Sequence, residues 1–413
     1  MALKQWNGQA STVSQVDTVI IGSNTTGQTF SYTVNGKTYT YTALSSDTST
    51  TILAASFQVF LSAVSEPEFQ ELKFTPSTNT VIVTGPADGA PFTGTVGGTG
   101  TISTSTTTAP LSPHDVGRAA NWTGGVLPTT GDTVVFDLGS TDAKYNLAAL
   151  AAVAIGSFTR RPTFTGVIGL PDINPFNGGY EEYRPTHFSL NTANIRVEQA
   201  ATDLANQVRI LSTLTGAPVT VTVVGQSAIG AGGSQGWPCD VYGLPSGQAN
   251  VVNVTNGAVA VANLTGQTAT VGTFRSASGT FLLGSAVTLT TATVVGGTGE
   301  IDCGFTTVTL DQSAVVVVSE TAAAGTGVTA QNGAALSWQS TGTPGAVLIG
   351  NNATFDLSSC PAPVAVGTIT RNAGSTLNDP LGRITRPYTE VYSNCGQESC
   401  TTVRGTGFQA VIS

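Results

Sequence analysis

Apolar residues along this chain recur mostly at every second position, in short runs broken by Gly, Asn, Ser or Pro. Successive side chains of a strand point to opposite faces, so alternation of this kind predicts strands that bury one face. The clearest case is a hairpin. Phe30, Tyr32 and Val34 alternate with polar residues, Asn35-Gly36 follows, and Lys37, Tyr39 and Tyr41 return. Asn-Gly suits a two-residue turn in which both positions need positive φ, which pairs 34 with 37, 32 with 39 and 30 with 41. A helix is predicted over 49–64, where Ile52, Ser56, Val59, Phe60 and Ala63 form one stripe at helical spacing. Strands are expected near 72–75, 80–83 and 92–96, so that 18–105 reads as a small α/β hairpin–helix–sheet domain. The Ser/Thr run at 103–108 reads as a linker.

Farther along, corner-then-strand units repeat. They begin at Asn256, Ser278, Gly297, Gln312, Asn332, Asn351 and Asn372, with successive offsets of 22, 19, 15, 20, 19 and 21 residues. A period near 20 fits the rungs of a β-solenoid, each unable to bury its apolar face without its neighbours. A β-sandwich would repeat its turns more closely. There is also an echo across the small domain. Trp6-Asn7-Gly8 leads to Asp17-Thr18-Val19, and Trp122-Thr123-Gly124 leads to Asp132-Thr133-Val134. Both copies are expected to open a solenoid strand, with the small domain inserted between them. The resulting layout is an arm at 1–17, the small domain at 18–105, a linker and solenoid entry at 106–130, the solenoid at 131–380, and a cap or tail at 381–413.

Composition supports an all-β reading. Charged residues are 9% of the chain against 40% apolar, which separates it from disordered chains. Val and Thr are frequent, and their branched Cβ suits a pleated surface. The net charge of −9 and only 15 basic residues, with Arg160-Arg161 the densest pair, argue against nucleic acid. No lysine follows Lys144. Lysine commonly guards exposed sheet edges, so its absence points to edges covered by rungs or by other chains. No secretory signal follows Met1 and no run is long enough to span a membrane. Cys239, Cys303, Cys360, Cys395 and Cys400 read as buried small hydrophobes, with a local Cys395–Cys400 disulfide left open.

Chemistry is sparse. With His114 and His187 the only histidines, a His-rich metal site is excluded, and no nucleophile elbow or phosphate loop occurs. Gly325-x-Gly327-x-x-Ala330 matches a relaxed dinucleotide fingerprint, but no amphipathic helix follows, so it reads as a rung corner. The segment 169–187 breaks the rung rhythm with prolines, tandem glycines and aromatics. Asp172, Tyr180, Glu181, Glu182, Tyr183 and Arg184 make it the candidate contact or glycan-binding loop, and the structural alternative has Arg184 pairing with a carboxylate. Neither catalytic residues nor a metal or other cofactor is expected.

Four patches carry a resemblance: Trp6-x-Gly8…Gln15-Val16-Asp17-Thr18-Val19; Asn121-Trp122-Thr123-Gly124-Gly125…Pro128…Gly131-Asp132-Thr133-Val134; Ile168-Gly169-Leu170-Pro171…Glu182-Tyr183-Arg184-Pro185; and Ala373-Gly374-Ser375-Thr376-Leu377-Asn378-Asp379-Pro380. Together they resemble a family of β-helical proteins encoded in phage and prophage genomes, also found in planctomycete-like bacteria. The resemblance implies a virion component, such as a capsid decoration protein, head fibre or tail-associated protein, and transfers no catalytic residue. It further implies a homotrimer made in the bacterial cytoplasm and carried on the outer surface of the virion beside proteins such as the major capsid protein. Neither nucleic acid nor membrane is an expected partner. The competing readings are a glycan-binding adhesin or receptor-binding module and, behind it, a polysaccharide lyase or hydrolase on the same scaffold.

Overall fold

The computed structural model describes residues 2–175, 179–203, 207–225, 236–319, 325–385, 388–392, 400–405 and 408–412, with backbone alone for 388 and from 392 onward. The protein is mainly β, 46% strand and 6% helix, and is built around a β-solenoid of about 11 turns. At the usual spacing of hydrogen-bonded strands, such a stack is roughly 50 Å long.

The solenoid begins where the chain begins. Strand β1 (Leu3–Trp6) pairs in parallel with a strand far downstream in sequence, Thr133–Phe136, and that strand pairs with Ser157–Arg160. The same parallel ladder then passes through Asn194–Gln199, Thr220–Gly225 and one strand of every later rung to Tyr388–Tyr392. Its inward column reads Val252, Phe274, Ala292, Val308, Val328, Val347 and Ile369, all buried. Partners in that column lie 22, 18, 16, 20, 19 and 22 residues apart, the period the corner units predicted. A second parallel ladder runs beside it, and its inward column includes Phe281, Val316, Leu336 and Phe355.

The corners between the two ladders fall on the predicted units. Asn256, Gln312, Asn332 and Asn352 all have φ near +50°, and Gly279, Gly297 and Gly374 are left-handed as well. Asn tolerates this region better than other residues with a Cβ, because its short side chain hydrogen-bonds locally. At Asn332 the side chain also ties two rungs together, its Nδ2 donating to Asp311 Oδ1 of the rung below at 2.7 Å.

Between β1 and the next solenoid strand, the chain forms two antiparallel sheets. The hairpin β3 (Thr29–Val34) and β4 (Lys37–Thr42) has the expected register, with Asn35 and Gly36 both at positive φ, and joins β7 (Gly94–Gly97). The other sheet orders β5 (Lys73–Ser77), β6 (Thr80–Thr84), β2 (Val16–Ile21) and β8 (Ile102–Thr108). The helices α1 (Thr50–Ser62) and α2 (Pro67–Gln70) complete this module, which has its own apolar core.

Three expectations need correction. The Ser/Thr run at 103–108 is no linker: it is most of β8 and pairs with β2, because Thr is a strand former even when its side chain faces solvent. Helix α1 is capped by Ser49 as its position suggests, but it buries Leu53, Ala54, Phe57 and Leu61. The predicted stripe lies on the other side, where Ile52 is 44% and Val59 64% exposed, so the bulkier of two helical stripes went to the core. The Trp–Asp echo is also uneven. Asp132 leads into a solenoid strand, whereas Asp17 lies in β2 of the antiparallel sheet. The two tryptophans do meet, edge to face with centroids 5.3 Å apart, and both are buried with Phe136.

At each end of the first ladder the chain adds antiparallel pairing to the parallel strands. Trp6 makes an antiparallel bridge to Trp122, and Thr123 Oγ1 accepts from the Gln5 amide at 2.9 Å. At the far end, Cys400–Gly405 and Phe408–Ile412 add antiparallel strands to Tyr388–Tyr392.

Candidate functional site

The segment 169–187 leaves the solenoid at a residue that must be glycine. Gly169 has φ +118°, and a Cβ there would lie 2.7 Å from Thr186 O and 2.9 Å from Arg209 Cβ. Beyond it, Ile173–Asn174 and Tyr180–Glu181 pair as a short antiparallel hairpin. Residues 176–178 of this loop lie outside the described residues. Glu182 N donates to Asp172 O at 2.8 Å, which closes the hairpin base.

The hairpin leans on the front module. Glu71, the residue capping the C-terminus of α2, accepts from Arg184 Nη2 at 2.7 Å, from Tyr183 Oη at 3.0 Å and from Tyr180 Oη. Arg184 Nε donates to Glu182 Oε1 at 2.8 Å, and Asn174 Nδ2 donates to the other oxygen of Glu182 at the same distance. The guanidinium lies over the ring of Tyr183 at 4.7 Å and near that of Tyr145 at 5.7 Å, and Tyr145 Oη donates to Asp88 of the module. The Glu71 and Arg184 side chains are 9% and 15% exposed, and Glu182 is fully buried. Burial, foremost, pushes the phenols of Tyr145 and Tyr183 far above the ordinary tyrosine value. The same burial works against the Arg184 charge, but its neighbours Tyr183, Glu71 and Glu182 outweigh it and the net shift is upward.

Four of the six candidate residues therefore converge on one cluster: Tyr180, Glu182, Tyr183 and Arg184. Its fifth main member, Glu71, lies 113 residues from Arg184, and no local pattern in the sequence points to it. Glu181 is exposed on the hairpin and stays apart. Asp172 turns the opposite way, to Arg209, whose Nη1 also donates to Leu170 O at 2.7 Å. As built, the cluster is a latch between the front module and the solenoid. A desolvated, many-partnered arginine suits such a joint because its planar fork satisfies several acceptors at once.

Behind Asp172 lies a second polar group, which the sequence reading did not single out. His187, 3% exposed, places Nε2 2.9 Å from Asp240 Oδ2 and Nδ1 2.8 Å from Thr186 Oγ1. Arg160, of the densest basic pair, is wholly buried and grips both oxygens of Asp203 at 2.7 Å. Cys239, Cys303 and Cys360 are free and buried, and burial raises the thiols of Cys239 and Cys303, the latter to about 12. The Cys395–Cys400 pairing falls outside the described side chains. Gly327–Ala330 is a rung strand, so the fingerprint-like spacing does not open a helix. Among the described residues no group of three His, Cys, Asp or Glu is placed to hold a metal, and no helix is long and apolar enough to cross a membrane. Comparison with protein-family models and with curated proteins returns no match.

Proposed function

We propose that this chain is a non-enzymatic building block of a bacteriophage particle, displayed on its outer surface as a decoration, head-fibre or tail-associated protein. The observation that carries the reading is the parallel solenoid of about 11 turns with a front module latched to its side. A stack of this kind derives rigidity from ladders along its whole axis, which suits a spacer or fibre segment. The phage setting rests on the sequence resemblance. Homotrimer formation is part of the proposal, with lateral contacts through the outer face of the first ladder. That face carries Thr293, Thr309, Thr329, Leu348 and Thr370 in one register column, an uncharged run that starts above the exposed Arg275. Neighbours in the particle, such as the major capsid protein, belong to the same proposal.

Native mass spectrometry of the purified chain tests the assembly step. A trimer that falls to monomer in Thr293→Arg/Thr309→Arg supports it; a monomer at all concentrations, or a trimer indifferent to those changes, contradicts it.

A further inference from the structure

The latch uses Tyr180, Tyr183 and Arg184, but Asp172 faces elsewhere, onto a small cavity of about 260 Å³ on the side of the solenoid. Its walls are Asp172, Thr186, His187, Tyr242 and the turn 264–267. We propose that this cavity binds a single neutral sugar ring, free or at the end of a glycan.

The walls of the cavity are firmly held. Arg209, 1% exposed, fixes Asp172, whose carboxylate stays 43% exposed at the mouth. Gln267 is 5% exposed; its Oε1 accepts from Leu264 N at 3.2 Å, which pins the turn, and its Nε2 donates to Asp240 Oδ2 at 3.1 Å. His187 links Thr186 to the same Asp240 oxygen, and Tyr242 packs edge-on to His187 with centroids 4.7 Å apart. Asp240 is 3% exposed and its Oδ1 finds no partner among the described residues. Burying that much polarity is unfavourable unless the arrangement is needed. Here it holds Thr186, His187, Gln267 and the turn beside them in place, and preorganisation of that kind lowers the cost of binding.

The chemistry of the walls selects the ligand. A phosphate or carboxylate needs an available cation, and Arg209 is spent on Asp172 and Leu170 O. The volume is too small for a nucleotide or a large cofactor. What faces the cavity is a carboxylate that accepts hydroxyl hydrogen bonds, a threonine hydroxyl, and a tyrosine ring that offers an apolar surface beside a polar tip. Hydroxyls around a ring with one C–H face match that set.

Saturation-transfer NMR on the full chain with glucose, galactose, mannose and N-acetylglucosamine tests the proposal. The expected result is transfer from at least one sugar. Tyr242→Ala and Asp172→Asn should weaken it at least tenfold, and so should Thr265→Trp, which blocks the mouth from an exposed position and leaves the buried network intact. Circular dichroism of each variant separates lost binding from lost fold. No transfer from any of the four sugars, or transfer that persists in well-folded Thr265→Trp, overturns the proposal. Neither result touches the assembly reading, which does not depend on this cavity.

Discussion

Gly299 lies on an inward position of the second ladder, directly over Phe281 of the preceding rung. A Cβ built there would fall 2.2, 2.3 and 2.5 Å from three carbons of the Phe281 ring. Carbon atoms pack at about 3.5–4.0 Å, so the ring would have to retreat by roughly 1.5 Å in Gly299→Ala. It has nowhere to go: Phe281 is fully buried and already rests on Phe274 with centroids 4.6 Å apart. Overpacking of this kind costs about 1–3 kcal/mol. The backbone of Gly299 is not left-handed, so alanine is otherwise acceptable and recovers roughly 0.5–1 kcal/mol of strand preference. Because the buried ring has no free space, the overpacking belongs at the upper end of that range, about 2–3 kcal/mol, and the net expectation is a loss of about 1–2.5 kcal/mol. Phe281→Leu alone leaves a void and also destabilises, by about 1–2 kcal/mol. Combined, the two changes relieve each other, and the double variant should be more stable than additivity predicts by at least about 1 kcal/mol. Denaturant titration followed by circular dichroism measures midpoints and slopes. Amide exchange at 281–283 and 298–301 locates the effect, which matters because stacked rungs need not unfold in one step. A single variant within about 0.5 kcal/mol of wild type, or strict additivity of the pair, would refute this placement of the rungs.

Other predictions follow from the same contacts. Arg184→Ala leaves Glu71 and Glu182 without their shared cation and should cost about 3 kcal/mol, seen as faster amide exchange at 67–71 and 180–184 while the distant rungs stay protected. Trp6→Ala empties the space between Trp122 and Phe136 and should lower stability by about 3–5 kcal/mol, measured by denaturant midpoint. At the Asn332 corner, valine should cost about 1–2 kcal/mol because φ is +52°, whereas Asn332→Gly should cost less, since it keeps the backbone and loses only the exposed bond to Asp311. The amides of Ala2 and then Thr129 hold the Asp132 carboxyl below the ordinary aspartate value. Its contribution is therefore present above about pH 4 and fades as pH falls through the lowered value, so Asp132→Asn should flatten the acid limb of the stability profile.

How much of this could be read in the sequence differs by scale. The rung period was legible because each corner demands a left-handed residue, and Asn332, Asn352 and Gly374 mark those places. The hairpin was legible for the same reason at Asn35-Gly36. Choices between two surfaces were not. Helix α1 offers two apolar stripes, and only the sheet beneath it decides that Leu53 and Phe57 go inside while Val59 stays out. The Thr run of β8 looks like a linker because an exposed strand needs no apolar alternation. The loop at 169–187 stood out by its composition, but its role depends on Glu71, brought in by a separate module. His187 and Asp240 are 53 positions apart and meet only because two rungs coil past each other.

The central claim, a building block displayed on a phage particle, is tested most directly by immunogold electron microscopy. Particles would be purified from cells that encode the chain and labelled with an antibody against the exposed turn around Thr265. The account predicts gold at regular positions on the outside of intact virions. Label that stays with the particle-free fraction, leaving virions bare, would contradict it.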